Sequence, residues 1–143
     1  MLGHPDDLER FVTAQKGVFE HAISELRAGS KESHWMWFIF PQLAGLGRST
    51  AAQFFGIHSN AEAGAYLAHA LLGPRLLQSV DVILPWADKR TPEQIFGSVD
   101  AMKFRSSMTL FDHAAPGRVF GEALTRFFAK PDERTLALLQ QSG

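Results

Sequence analysis

Ser98-Val-Asp-Ala-Met-Lys-Phe-Arg-Ser-Ser-Met-Thr-Leu-Phe-Asp112 is the stretch of sequence that decides the fold. At about 100° per residue, the rotation of an α-helix, its apolar residues fall on two opposite sides. These are Val99, Met102 and Leu110 on one side, and Phe104, Met108 and Phe111 on the other. A helix that is apolar on two opposed faces packs between other elements. The stretch therefore predicts a buried central helix over residues 98–112.

The polar residues of this helix fall in narrow stripes. Asp100 and Lys103 lie one turn apart and can form an ion pair, while Ser106 and Ser107 can donate to helix carbonyls. A buried charge without a partner is costly, so each charge needs a counter-ion or access to water. Two interpretations stay open. One is a satisfied internal network, and the other is a cleft in which Lys103, Ser106 and Ser107 bind an anionic group.

The remaining sequence also has helical spacing, without the alternation typical of strands. Apolar residues recur every three or four positions from Asp6 to Ala28, which predicts one helix with Asp6 or Asp7 capping its start and Gly29 ending it. Later helices are predicted to begin at a capping residue or a proline: Ser49 or Thr50, Asn60, Pro74, Thr91 and Asp132. We therefore predict one all-α domain over residues 1–143, a compact bundle of about seven or eight short helices.

Composition narrows the classes of protein to consider. The chain has 143 residues and no cysteine, which suits one cytoplasmic domain without disulfides or thiolate metal sites. Its net charge is −1 with dispersed basic residues, so no nucleic-acid partner is expected. The longest apolar runs, 35–40 and 82–87, fall far below the roughly 20 residues that span a bilayer. The amino terminus lacks a basic start and an apolar stretch, so neither a signal peptide nor a membrane partner is expected.

The segment His34-Trp-Met-Trp-Phe-Ile-Phe-Pro-Gln42 contains six large apolar residues in a row and has neither helical nor strand periodicity. Its helical neighbours favour a short helix, buried on all sides, that Pro41 ends. His34, at the edge of the run, is a candidate for proton transfer. Trp35 and Trp37 either pack in the core or form an apolar wall for a ligand.

Three further polar residues are candidates for a site. Gln15 lies on the apolar face of the first predicted helix, so we expect its amide to be buried and paired with another segment. Arg48 and Arg75 each stand at a predicted helix start, where backbone amides attract anions, although a simple turn and cap is the alternative. No metal-ligand spacing and no Gly-x-Ser-x-Gly motif occurs, so neither a metal, a cofactor nor a hydrolase triad is expected.

Several of these segments occur in an order that resembles one family. They are Phe11-Val-x-Ala-Gln15, the 34–42 segment, Gly45-Leu-Gly47, Tyr66-Leu-Ala-His69 followed by Leu-Gly-Pro-Arg75, and Phe96-Gly-x-x-Asp100-x-x-Lys103-x-x-Ser-Ser-x-Thr-Leu-Phe111. From Phe11 to the helix with Thr135, the chain resembles the mostly bacterial family called domain of unknown function 1810. The resemblance implies a compact all-helical domain, and it implies no established activity, substrate or catalytic residue.

Members of that family are sometimes labelled calpastatin-like, and nothing in this sequence supports a protease-inhibitor role. Two positions depart from the family pattern: Ala70, where proline often follows the histidine, and Phe55, where tyrosine is usual. The second change removes any role for a hydroxyl there. The polar residues of the motifs coincide with the physical candidates: Gln15, His34, Gln42, Arg75, Asp100, Lys103, Ser106 and Ser107. A signature that mixes aromatic, charged and amide groups is typical of a pocket.

We therefore expect a small-molecule site between the central helix and the 35–42 segment. Lys103 and Arg75 would hold a nucleotide-, sugar-phosphate- or carboxylate-like anion, and Ser106 or Ser107 would donate hydrogen bonds.

If the site is catalytic, His34 or Asp100 would transfer the proton. The main alternative is a non-enzymatic helical interaction module, whose polar residues hold the helices in register. A third class, a nucleic-acid adaptor, is disfavoured by the near-neutral charge.

Overall fold

The computed structural model describes residues 7–142, apart from the side chain of Ser142. This part of the chain forms ten α-helices, one 3-10 helix and no strand, so the predicted all-α fold is confirmed with more helices than expected. The α-helices are α1 (Glu9–Gln15), α2 (Phe19–Arg27), α3 (Met36–Ile39), α4 (Thr50–Phe55), α5 (Asn60–Ala68), α6 (Leu72–Ile83), α7 (Pro92–Phe96), α8 (Ser98–Ala114), α9 (Val119–Phe127) and α10 (Glu133–Ser142). The 3-10 helix, Leu84–Asp88, follows α6 directly.

Helix α8 occupies the centre of the fold, as its sequence predicts. It contacts α3, α5, α7, α9 and α10, and it contributes a fully buried side to the core with Phe104, Met108 and Phe111. The predicted second apolar face was wrong in its first two turns. Val99 and Met102 are 67% and 65% exposed, so this side of α8 is open to solvent over its first two turns.

The first predicted helix is two helices. Gly17 between them has φ +71°, a left-handed conformation that ends α1 and lets the chain turn into α2. The apolar spacing continued across this break because both helices contribute to the same core. Asp7 Oδ1 accepts a hydrogen bond from Glu9 N at 2.9 Å, whereas Asp6 lies outside the described residues.

Most of the predicted caps are present. Ser49 caps α4, Thr91 forms a capping box with Gln94 at the start of α7, and Asp132 Oδ2 accepts from Thr135 N at 2.9 Å at the start of α10. The prediction for α5 was wrong by one position. Its cap is Ser59, whose side chain accepts from Glu62 N.

The aromatic segment forms a helix of only four residues, α3, which confirms the predicted short helix. Trp35, Ile39 and Phe40 are buried, and Phe40 packs edge-on against Phe104 of α8 at 4.9 Å between ring centroids. The segment is not buried on all sides, since Trp37 is only partly buried. Its indole is the part of α3 that reaches the surface beside α8.

One further property of the helices concerns membranes. Among residues 7–142, no single helix combines the length and the apolar composition that crossing a bilayer requires. Only α5 taken together with 72–88 meets that criterion by length and composition, and this pair is bent by 89° at its break.

Candidate ligand-binding cleft

Two lysines share one carboxylate where α8 meets the loop between α2 and α3. Asp100 Oδ2 is 2.8 Å from Lys31 Nζ, and Asp100 Oδ1 is 3.3 Å from Lys103 Nζ. The Lys31 side chain is 7% exposed, and those of Asp100 and Lys103 are 20% exposed. Two positive charges and one negative charge leave one positive charge in excess. We call this Lys31–Asp100–Lys103 set the ionic row.

The loop that carries Lys31 is held by Glu25 of α2. The Glu25 carboxylate accepts hydrogen bonds from Glu32 N at 2.8 Å, Ser33 N at 3.0 Å, Ser33 Oγ at 2.6 Å and Trp35 Nε1 at 2.9 Å. Burial raises the pKa of Glu25, but the hydrogen bonds from Ser33, Glu32 and Trp35 outweigh it and lower the pKa from 4.5 to about 2. The carboxylate therefore stays ionised and fixes the loop beside the ionic row.

Lys103 is positioned by an aromatic ring as well as by its ion pair. Its Nζ lies 3.7 Å from the centroid of the Trp37 ring, within the range of a cation–π interaction. Trp37 comes from α3 and Lys103 from the second turn of α8, so the contact joins the two elements. The ammonium group is therefore neither sealed in the core nor free in solvent.

A cleft of about 190 Å³ opens beside this contact, between α8, α3, the following loop and the start of α10. Its lining combines apolar side chains with charges of both signs: Trp37, Gln42, Leu46, Gly47, Val99, Met102, Lys103, Ser106, Asp132 and Arg134. Of the candidate site residues from the sequence, the structure therefore brings together Trp37, Gln42, Lys103 and Ser106, with Asp100 directly behind Lys103.

Of the two interpretations of the serines, Ser106 fits the one in which the hydroxyl bonds to a helix carbonyl. Ser106 Oγ donates to Met102 O at 3.0 Å, so towards the cleft it can only accept a hydrogen bond. Ser107 is fully buried, and its Oγ has no hydrogen-bond partner within residues 7–142. It faces the core because α8 turns by about 100° per residue, which carries it away from the cleft.

Two other predicted residues, Gln15 and Arg75, belong to a separate network that is largely buried. Gln15 Nε2 donates to Phe38 O at 2.8 Å and to Tyr66 Oη at 3.2 Å, and Gln15 Oε1 accepts from Arg75 Nη1 at 3.1 Å. The expectation of a buried, paired Gln15 amide is confirmed. The Arg75 guanidinium also lies 4.6 Å over the Phe19 ring. Neither Gln15 nor Arg75 lines the cleft.

Burial dominates the electrostatics of that network. Burial raises the pKa of Tyr66 well above its usual range, against the smaller opposing effects of the Gln15 hydrogen bond and the Arg75 charge. The Tyr66 phenol therefore stays neutral, and its role is to pair the buried amide. The hydrogen bonds of Gln15 join α1 to α3, α5 and α6.

Three more of the sequence candidates also lie outside the cleft. Trp35 is fully buried and donates its indole N–H to Glu25, so it cannot form a wall for a ligand. His34 and Arg48 are exposed and do not line this cleft. Arg48 follows the cleft residue Gly47 and directly precedes Ser49, the cap of α4, so it stands at a helix start as predicted.

Asp132 and Arg134 are cleft residues that the sequence did not reveal. Asp132 had a sufficient explanation as a helix cap, and Arg134 is an exposed residue in the first turn of α10. Arg134 Nη2 donates to Leu46 O at 3.2 Å, which ties α10 to the loop after α3. No local pattern signals this contact, because it depends on how α10 packs against α8.

A larger groove lies elsewhere on the molecule, but the charged residues that line it are not buried. An open groove of about 690 Å³ lies along α9 and is lined by Asp112, Arg118 and Glu122 among others. None of these three side chains is buried, so nothing there concentrates charge in a dry environment. No group of three or more histidine, aspartate or glutamate side chains suited to a metal ion occurs among residues 7–142. We therefore place the candidate site at the smaller cleft.

Comparison with known proteins agrees with this helical architecture. The family described as "Protein of unknown function (DUF1810)" matches residues 5–139. The chain belongs to the DUF1810 family. It is also similar to the crystal structure of the conserved hypothetical protein Rv1873 from Mycobacterium tuberculosis, with a TM-score of 0.91 and 47% identity, over 96% of this chain and 99% of that one. No curated protein matches. Membership in DUF1810 confirms the family resemblance and assigns no activity.

Proposed function

We propose that the cleft beside Lys103 binds a small organic anion. The observation that carries the proposal is the ionic row, in which one carboxylate serves two lysines and the outer lysine borders a cleft. The excess positive charge lies in a partly dry environment, where it attracts an anion more strongly than in water. Arg134 supplies further donors at the other side of the cleft.

The size of the cleft selects the ligand class. At about 190 Å³ it is smaller than the roughly 300–1,000 Å³ of sites for drug-sized ligands. A small carboxylate or a compact phosphate is therefore favoured over a whole nucleotide. The apolar part of the ligand would lie against Trp37, Val99 and Met102, of which the last two are exposed without it.

We propose that the cleft binds this anion without catalysing a reaction. Asp100 contacts both lysines of the ionic row and does not itself line the cleft, so its carboxylate is not placed against a ligand. His34, the other candidate, is exposed and does not line the cleft. The proposal retains the expectation of a cytoplasmic protein without cofactor, metal, nucleic-acid or membrane partner.

The proposal is tested by thermal-shift and calorimetric titration of the full chain with a panel of small carboxylates and monophosphates. A ligand at one hundred times its dissociation constant adds about 2.7 kcal/mol to the unfolding free energy. Lys103→Met should weaken binding at least ten-fold, while Lys16→Met, which removes the same charge from an exposed position outside the cleft, should not. The proposal fails if no panel member binds, or if both variants bind as the parent does.

One observation favours a second candidate function, a non-enzymatic interaction module. Val99 and Met102 are large apolar residues exposed on one end of α8. In that case the ionic row only holds α8 against the preceding loop. The panel would then yield no ligand, and Lys103→Met would change nothing except stability, by less than about 1 kcal/mol.

A further inference from the structure

Each cation of the cleft has a hydrogen-bond acceptor near it in the chain: Ser106 follows Lys103 on α8, and Asp132 precedes Arg134 at the start of α10. Asp132 Oδ2 accepts from Thr135 N at 2.9 Å and from Thr135 Oγ1 at 2.6 Å, whereas Oδ1 accepts no hydrogen bond from any residue in 7–142. Ser106 Oγ donates its hydrogen bond to Met102 O, so its lone pairs can accept a hydrogen bond from a ligand. An anion would contact Lys103 and Arg134 and use neither acceptor, whereas a ligand that also carries a cationic group could donate to both.

The position of Asp132 is fixed relative to Lys103. Its backbone N–H donates to Thr109 Oγ1 at 2.8 Å, and Thr109 Oγ1 donates in turn to Arg105 O at 2.8 Å. Thr109 is buried on α8, the helix that carries Lys103. The same helix therefore sets the places of a cation and a carboxylate that face one cleft. Such preorganisation lowers the cost of binding a ligand that has both complementary charges.

We infer that the ligand is a zwitterion, a free α-amino acid with an apolar side chain. This inference rests on the proposed anion site. The ligand carboxylate contacts Lys103 and Arg134, and its ammonium group donates to Asp132 Oδ1 and Ser106 Oγ. Its side chain covers Val99 and Met102, which are otherwise exposed. The volume of about 190 Å³ corresponds to roughly six water molecules at ~30 Å³ each, which suits one amino acid.

Three ligands that share the leucine side chain test the contributions of the carboxylate and the ammonium group one at a time. They are leucine, 4-methylpentanoate, which lacks the amino group, and 3-methylbutylamine, which lacks the carboxylate. Calorimetric titration of the full chain should show leucine binding at least ten-fold more tightly than either analogue. The same comparison with phenylalanine, 3-phenylpropanoate and 2-phenylethylamine checks that the result is not particular to one side chain.

The role of the Asp132 carboxylate is tested with Asp132→Asn. Asparagine also caps helices well, so the variant should keep its fold. This variant should lose leucine binding by ten-fold or more and retain that of 4-methylpentanoate. Asp81→Asn, at an exposed position outside the cleft, is the matched control and should change neither.

The outcomes distinguish this inference from the proposal beneath it. If 4-methylpentanoate binds as tightly as leucine, the zwitterion is overturned and the anion site stands. If the amine binds as tightly as leucine, or if none of the three ligands binds, the zwitterion is overturned, and the anion site then stands or falls with the panel of small carboxylates and monophosphates. The comparison on the parent protein decides the question even if Asp132→Asn fails to fold.

Discussion

Replacing Asp100 with asparagine separates the roles of the two lysines in the ionic row. Asparagine keeps the shape of the side chain and removes its charge. Lys31, at 7% exposure, is then left with an ammonium group in a mostly dry environment and no counter-ion. Lys103, at 20% exposure, can turn its ammonium group towards water. The loss of stability should therefore come almost entirely from Lys31, the more buried of the two lysines.

The size of the loss follows from the contacts that remain. Breaking a buried ion pair by removing one partner costs about 3–5 kcal/mol. Lys31 Nζ keeps its hydrogen bond to Ser33 O at 2.6 Å and its position 5.0 Å from the Trp35 ring, and the Asp100 side chain is 20% exposed. We therefore expect Asp100→Asn to lower the unfolding free energy by about 2–3 kcal/mol. Lys103→Met, which breaks a partly exposed pair, should cost less than about 1 kcal/mol.

Urea unfolding at 25 °C measures these differences. A double-mutant cycle with Lys31→Met and Asp100→Asn should show a coupling energy of at least about 1 kcal/mol, because the two changes together remove both charges of the Lys31–Asp100 pair. If Asp100→Asn costs no more than Lys103→Met, or if the cycle is additive, the assignment of Lys31 as the dependent partner is refuted. The stability of the ionic row would then have to come from packing.

Two further predictions concern other buried polar groups. Because the pKa of Glu25 is lowered from 4.5 to about 2, its ionised form contributes stability that is fully present above pH 4.5 and lost as the pH falls towards 2. Glu25→Gln should lower the unfolding free energy by about 1–3 kcal/mol at pH 7, and the urea midpoints of parent and variant should converge only between pH 4.5 and 2. Ser107→Ala removes a fully buried hydroxyl that has no partner within residues 7–142, so stability should be unchanged or raised by up to about 1 kcal/mol. Thermal unfolding checks it, and a loss above about 1 kcal/mol would mean that the hydroxyl is paired in solution.

Features set by neighbouring positions along one helix were predictable from the sequence. The pairing of Asp100 with Lys103 is a one-turn contact on α8, and its spacing alone predicts it. The capping box of Thr91 and Gln94 is equally local. The break at Gly17 was missed because a glycine within a helical pattern is often tolerated, and only its left-handed φ of +71° ends the helix.

Features that depend on packing between distant elements were not predictable in this way. An apolar run without periodicity gives no sign of which indole faces the core, so Trp35 and Trp37 could not be told apart. Lys31 was not singled out, since its role requires the loop after α2 to lie against α8. Asp132 and Arg134 reach the cleft only because α10 packs on α8.

The position of Trp37 has an optical consequence. The indole of Trp35 is buried in the core and that of Trp86 lies against Gly29, and neither lines the cleft. Trp37 alone among the tryptophans is both partly open to solvent and in contact with the cleft cation. A molecule that enters there displaces water from this ring and alters the charge beside it. The fluorescence emission of Trp37 should therefore report whether the cleft is occupied, without an attached dye.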